Sequence, residues 1–338
     1  MRTLSATLAA LLTALAAPAL AGPSLDAIVE RDRLICGANG SRAGFSLVGS
    51  EGEWEGMDVE VCRAIATAIL GDPNKVEFVK VTSQTRFPAL QTGEVDILTS
   101  NTTWTLSRDS KLGVDFVAPI FYDGQGFMLP KALGVSEVDA LDGATICVLP
   151  GSTSEKVVND VFEARGMSYT PVVIEDQKEL NNAFFAGRCD AQVQSTSGLS
   201  ASRATVAANP QDYVILGEVF SKDPMGPVVR EDDADLRDIV AWTVYALMQA
   251  EEFGITQANV AQMASSDDPE IQEFLGATGD LGQSLGLDAD WVVEVVGAVG
   301  NYGEIYERTL GEGSALGLSR GLNALWSDGG LHYPPPFK

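Results

Sequence analysis

The stretch ALQTGEVDILTSNTT (89–103) returns in altered spelling as AFFAGRCDAQVQSTS (183–197). Each copy reads as an apolar helical turn, a glycine, one residue, a hydrophobe and an aspartate. Each then passes through a short strand into an exit rich in Ser, Thr or Asn. Working backwards from the first copy, RLICGA (33–38) and VEFVKV (76–81) read as strands. Between them MDVEVCRAIATAIL (57–70) places Cys62, Ile65 and Ile69 on one helical face. The second copy is preceded by ATICVL (144–149) and PVVIED (171–176) as strands, with STSEKVVNDVFEARG (152–166) as the helix between them. Short apolar runs alternating with helical ones are the grammar of βαβ units and a mainly parallel sheet. An Ile-Cys pair opens both copies, at Ile35-Cys36 and Ile146-Cys147. The chain is therefore expected to be α/β, with two similar lobes.

The four cysteines divide two to a lobe. Strand residue Cys36 can face Cys62 on the covering helix, and Cys147 can face Cys189 on a neighbouring strand, so Cys36–Cys62 and Cys147–Cys189 disulfides are expected. No CxxC occurs and the single histidine is His332, which gives zinc no ligand set and predicts no metal site. Beyond about residue 230 the pattern turns helical, through DADLRDIVAWTVYALMQAEE, DPEIQEFLG, DADWVVEVVGAVG and SRGLNALW. Asp232 or Asp233, and Asp288, read as N-caps, and Pro269 as a helix start. No Ser/Pro/Gly-rich linker sets these helices apart, so they are expected to pack on lobe 1. The expected division is 1–21 leader, 22–125 first part of lobe 1, 126–228 lobe 2 and 229–338 return to lobe 1. The chain would cross between lobes near 124–130 and 220–228.

The N-terminus carries Arg2, an apolar run from Leu4 to Leu15, and Ala19-Leu20-Ala21. That layout is a secretory signal peptide with cleavage expected after Ala21, and the apolar run is too short for a membrane span. Lys+Arg 22 against Asp+Glu 47 gives a net charge of −25, which repels phosphate backbones and anionic lipid. Nucleic acid and the membrane surface are thus disfavoured as partners. GQSLG (282–286) matches the GxSxG pattern of serine hydrolases but has no strand leading into it and only His332 as a base. It reads as a loop. Gly124-Gln125-Gly126 lacks the third glycine of a dinucleotide loop, so no cofactor is expected.

What remains is the carboxyl ends of the strands, where ligands sit in open α/β sheets. In lobe 1 that end is SNTTWTLSRD (100–109), in which Arg108 offers a fork suited to a carboxylate. In lobe 2 the ends are PGSTSE (150–155), a helix start with exposed N–H groups, and QSTS (194–197). Phe45, in the loop GSRAGFSL, is the best placed aromatic to cover an apolar ligand surface, while Asp58 and Glu60 open a helix and read as structural.

Several stretches together resemble the polar amino-acid-binding family of periplasmic solute-binding proteins that serve ABC importers, in its general L-amino-acid branch. They are EWEGMDVEVCRAIA, RFPALQTGEVDILTSNTTWTLSRD, YDGQGFML, GRCD, VGNYGEIYER and SRGLNALW. The resemblance implies a type II two-lobed fold with two crossover strands as hinge. It implies a periplasmic, monomeric binding protein, not an enzyme, that delivers an amino acid or related small carboxylate to a membrane permease. The alternatives on the same fold are a sensor protein and a periplasmic dehydratase or lyase. Carried over by position, Arg108 would clamp the α-carboxylate. Asn101 would offer its backbone carbonyl and Thr103 its hydroxyl to the ammonium, and Phe45 would cover the ligand. The N–H groups of Gly151, Ser152 and Thr153 would meet the carboxylate. Two positions depart from the pattern. Ser83 stands where an aromatic is usual, and Ser195 stands where the ammonium-binding aspartate is expected. Asp123, Glu175 and Asp176 are the acids that could replace it; otherwise the ligand lacks a free ammonium or binds weakly.

Overall fold

The computed structural model describes residues 22–338. The leader and its cut after Ala21 lie outside them. Helix α1 (Pro23–Arg31) precedes β1 (Leu34–Ala38), and a small three-stranded sheet follows: β2 (Ser41–Arg42), β3 (Ser46–Val48) and β4 (Trp54–Glu55). Then come α2 (Met57–Leu70), β5 (Val76–Lys80), α3 (Arg86–Gln91), β6 (Ile97–Leu98), α4 (Leu106–Lys111) and β7 (Val114–Phe116). The chain crosses at β8 (Phe121–Asp123) into β9 (Gln125–Pro130). Lobe 2 continues with β10 (Thr145–Val148), α5 (Thr153–Ala164), β11 (Thr170–Val173), α6 (Gln177–Phe185) and β12 (Ala191–Ser195). It ends with α7 (Thr196–Thr205) and β13 (Tyr213–Ile215), and the return runs through β14 (Asp223–Met225) into β15 (Val228–Arg230).

The two sheets repeat one plan. Their orders are β5-β1-β6-β15-β7 and β11-β10-β12-β9-β13. In each, the first three strands are parallel, and the third also pairs with an antiparallel strand. That antiparallel strand arrives from the other lobe: β9 follows the outward crossing and β15 follows the return. The crossings β8 and β14 pair with each other, Asp223 opposite Asp123 and Met225 opposite Phe121. The outward crossing lies at 121–123 rather than within 124–130, because 125–130 already belongs to the lobe 2 sheet. At the junction a Cβ on Gly124 would stand 2.7 Å from the Ser221 carbonyl oxygen, so only glycine lets the crossings run this close.

Cys36 is bonded to Cys62 and Cys147 to Cys189. One apolar cluster joins β1 and α2 of lobe 1 to α8 (Ala234–Glu252), α9 (Val260–Met263), α10 (Pro269–Phe274), α11 (Leu281–Ser284), α12 (Trp291–Val299) and α13 (Tyr302–Thr309). The late helices thus enlarge the core of lobe 1 alone. Asp233 ties start to end: one oxygen accepts the Leu236 N–H as N-cap of α8, the other the Ser24 and Leu25 N–H groups of α1. Buried caps of this kind hold two helix starts with one carboxylate.

Four local expectations change. SRGLNALW forms two 3₁₀ turns, Gly321–Asn323 and Trp326–Asp328, because Gly321 adopts φ +50° and breaks any longer helix. Helix α12 begins after Asp290 rather than Asp288, without a side-chain cap. The polar run after β12 is no loop exit: Ser195 caps the ten-residue helix α7. GQSLG falls in α11 and the turn after it, with the Ser284 hydroxyl donating to the Asp280 carbonyl.

Candidate functional site

The strands of both sheets end towards one interlobe cleft. On the lobe 1 side, β1 runs into the β2–β3 hairpin, which turns Arg42 inward until it is half-buried. Its Nη1 donates to Ser195 Oγ at 3.2 Å and its Nη2 to Gln177 Oε1 at 3.0 Å, both across the cleft. Arg86, the first residue of α3, is buried. Its Nη1 donates to the Ser100 carbonyl at 3.1 Å and to Thr102 Oγ1 at 3.4 Å, while its Nε has no partner. Beyond β6 the chain turns at Asn101, whose φ of +45° is rare for a side-chain-bearing residue and whose amide atoms are both unpartnered.

The second buried charge of this wall is Asp58, in the first turn of α2. It is 1% exposed and its Oδ2 has no partner. Burial raises its pKa to about 7, opposed by the field of Arg42, by the Asn101 N–H and by Arg86. Burial likewise lowers the pKa of Arg42, against the attraction of Asp58 and Asp123. Arg86 is lowered well below its ordinary value, by burial first and then by repulsion from Arg108 and Arg42. Among the described residues no carboxylate lies within ion-pair distance of Arg42 or Arg86.

The lobe 2 side is neutral. Gly151 takes φ +69° before α5, Ser152 Oγ accepts the Glu155 N–H, and Glu155 returns a carboxylate to the Gly151 N–H at 2.8 Å. Ser154 Oγ donates to Gln125 Oε1 at 2.7 Å, and Gln125 Nε2 donates to Asp223 on the return crossing. Thr153 and Thr103 hydroxyls meet across the cleft at 3.4 Å.

Asn101, Thr103, Ser152, Thr153 and Ser195 line the same small cavity, of about 20 Å³, together with Ser83, Arg42, Arg86 and Gln125. Three expected residues stand apart from it. Arg108 lies over the Phe87 ring at 5.3 Å, its Nη1 donating to the Thr103 carbonyl at 2.9 Å and its Nη2 to the Gly151 carbonyl at 3.5 Å. Burial lowers its pKa to about 10. Gly151 contributes that carbonyl. Phe45 is buried edge-on to Phe121 at 5.1 Å and lines a recess beside Asp58 and Asn101. The acids that could replace the aspartate at 195 are engaged elsewhere. Asp123 accepts from Thr196, Ser197 and Gly124; Glu175 accepts from Thr82 Oγ1; Asp176 pairs with Lys80.

Sequence reasoning missed Arg42, Arg86 and Gln125 and read Asp58 as a helix opening only. A signal existed for Arg86, a lone cation at the head of the buried turn FPAL, and for Arg42, a cation inside a glycine-flanked hairpin.

A family model described as bacterial extracellular solute-binding proteins, family 3, matches residues 34–258. The chain belongs to that family. It is 51% identical to the glutamate/glutamine/aspartate/asparagine-binding protein BztA of Rhodobacter capsulatus, over 97% of both chains. It is 47% identical to the general L-amino acid-binding periplasmic protein AapJ of Rhizobium johnstonii, over 99% of this chain and 98% of that one. Among solved structures, a periplasmic binding protein from Brucella ovis with glutathione bound superposes with a TM-score of 0.90 at 49% identity. That match covers 93% of this chain and 99% of the other. The two-lobed architecture is the type II periplasmic binding fold, and the relatives named are binding proteins. Among the described residues no helix is long and apolar enough to cross a membrane.

Proposed function

We propose that this solute-binding protein captures an α-amino acid with an acidic side chain, such as glutamate or aspartate, between its lobes and presents it to an ABC permease. The observation that carries the reading is the pair of guanidinium groups, Arg86 buried and Arg42 half-buried, converging on the interlobe cavity without a carboxylate partner. A buried charge without a partner is costly, and an anionic ligand supplies one to each arginine. The relatives named for glutamate and aspartate or for L-amino acids at large support the same class. In this reading lobe 1 holds the ligand through Arg42, Arg86, Asn101 and Thr103, with Arg108 bracing the Thr103 carbonyl. The α5 start at Ser152 and Thr153 closes from lobe 2, as does Ser195. Ligand touching both lobes favours the closed arrangement by its differential affinity for closed over open. The lobe limits at 125/126 and 228/229, the periplasmic site of action after removal of residues 1–21, and the monomeric state belong to the same proposal.

Isothermal titration of the mature protein with L-glutamate, L-glutamine, glutarate and N-acetyl-L-glutamate tests it. Tightest binding is expected for L-glutamate. Equal affinity for glutamine and glutamate would overturn the role of the two arginines. Tighter binding of glutarate or N-acetylglutamate would show that a free ammonium is not read, as the serine at 195 permits.

A further inference from the structure

Beside the core cavity lies a second and larger one, about 420 Å³, between the β2–β3 hairpin of lobe 1 and helices α6 and α7 of lobe 2. That volume is within the range of small-molecule pockets. Arg42 lines both cavities, and its bonds to Ser195 and Gln177 make it the bar between them.

The annex shares the acid-free lining of the core cavity and adds lysines and further amides to it. In a chain with 47 acidic residues, no acid lines it, while Arg42, Lys80 and Lys178 do. Its floor is amide: Gln177 and Asn181 are hydrogen-bonded to each other, and Gln194 is 2% exposed with its Nε2 unpartnered. A buried N–H₂ without an acceptor is a standing cost that an incoming oxygen removes. Gly198 makes room for this amide, since a Cβ there would lie 2.0 Å from Gln194 Oε1.

We infer that the annex is a binding subsite for the distal part of an amino acid elongated through its side chain and ending in an anionic group, the chemistry of a γ-glutamyl peptide. The inference rests on the proposed capture of an acidic amino acid. An α-linked peptide is disfavoured, because its peptide bond consumes the ammonium or the carboxylate of the head group. A side-chain linkage leaves both free in the core and carries the remainder past Arg42. There the terminal carboxylate meets Lys178 and the chain's carbonyl meets Gln194.

The test is titration of the mature protein with L-glutamate, γ-L-glutamylglycine and α-L-glutamylglycine, using wild type, Lys178→Glu and Gln194→Met. Wild type is expected to bind the γ-linked dipeptide at least as tightly as glutamate, and the α-linked one about a hundredfold more weakly. Each substitution is expected to weaken the γ-linked dipeptide about tenfold and leave glutamate within about twofold. Lys178 is exposed, so its replacement is compatible with folding even where that of Gln194 is not. Wild type that binds glutamate and rejects the γ-linked dipeptide overturns the annex and leaves the core reading standing. So do variants that weaken both ligands equally. Wild type that binds neither overturns both.

Discussion

The two walls of the cleft are built from the same strand plan and differ in charge. The lobe 1 wall buries Arg86 and Asp58 and half-buries Arg42, with unpartnered polar atoms on Arg86, Asp58 and Asn101. Around the core cavity the lobe 2 wall offers hydroxyls engaged in caps and side-chain bonds: Ser152 on α5, Ser195 on α7, Ser154 on Gln125. An unpartnered donor of that lobe, Gln194 Nε2, faces the annex. Lobe 1 also owns the larger core, extended by the C-terminal helices. The division of labour at the core cavity follows: one lobe stores the binding energy in preorganised charges, and the other closes with hydroxyls that are satisfied before the ligand arrives.

The largest break in this comparison is Arg86→Met. Removing a charged partner of a ligand carboxylate costs about 1.5–3 kcal/mol, so glutamate affinity should fall by about ten- to a hundredfold. Stability in urea should hold or rise, because the variant no longer buries an unpaired guanidinium. Affinity within about threefold of wild type would remove Arg86 from the site.

The next effect separates the lobes by pH. The Asp58 pKa is raised from 3.8 to about 7, so the folded protein keeps a proton that the unfolded chain releases between those values. The contribution to stability is fully present below the unfolded value and is lost as pH rises through 7. Wild type should gain about 3 kcal/mol between about pH 8 and pH 5 relative to Asp58→Asn. Parallel urea midpoints for both proteins across that window would show that this carboxyl does not hold its proton. The cleft hydroxyls and amides of lobe 2 do not titrate in this range, so a matching Ser195→Ala series should be flat.

These contrasts also mark what was legible in the sequence. The repeat at 89–103 and 183–197 located β6 and β12, because an apolar run bounded by glycine and followed by Ser/Thr leaves a strand little else to be. Helix α2 was legible from 3.6-residue periodicity, whereas α1 and α4 of the same lobe were not read and GQSLG of α11 was read as a loop. Helix α7 was not, since Gly198, Ser200 and Ser202 are weak helix formers and its stability comes from the Ser195 cap and the packing of Leu199. The arginines were missed for another reason. Local pattern treats a lone cation as solvated, and only the tertiary fold shows that the hairpin carries Arg42 under the cleft and that α3 starts inside it. Arg108 was readable as a carboxylate fork, yet the fold sets it one residue back, on the Thr103 carbonyl.

A smaller effect would convert one wall into the other. Ser195→Asp keeps a good N-cap for α7 while placing a carboxylate where Arg42 Nη1 now meets a hydroxyl. The new ion pair should take up the cation that selects acidic ligands. Glutamate affinity should fall about tenfold, and the preference over glutamine should narrow or reverse. An unchanged glutamate-to-glutamine ratio would mean that Arg42 acts only as the bar between core and annex.

The smallest effect lies at the rim, where the lobes touch through Lys80 with Asp176 at 3.0 Å and Thr82 with Glu175 at 2.9 Å. The Lys80 side chain is 49% exposed, and exposed ion pairs contribute about 0.2–1 kcal/mol and weaken with salt. Lys80→Ala should therefore weaken glutamate by less than about fivefold at low salt and by nothing measurable at high salt. Arg42→Met, which removes two part-buried cross-lobe bonds, should keep its larger loss at either salt concentration. If the rim variant matched it, closure would be governed by the surface latch, and the arginine would serve only to read the ligand.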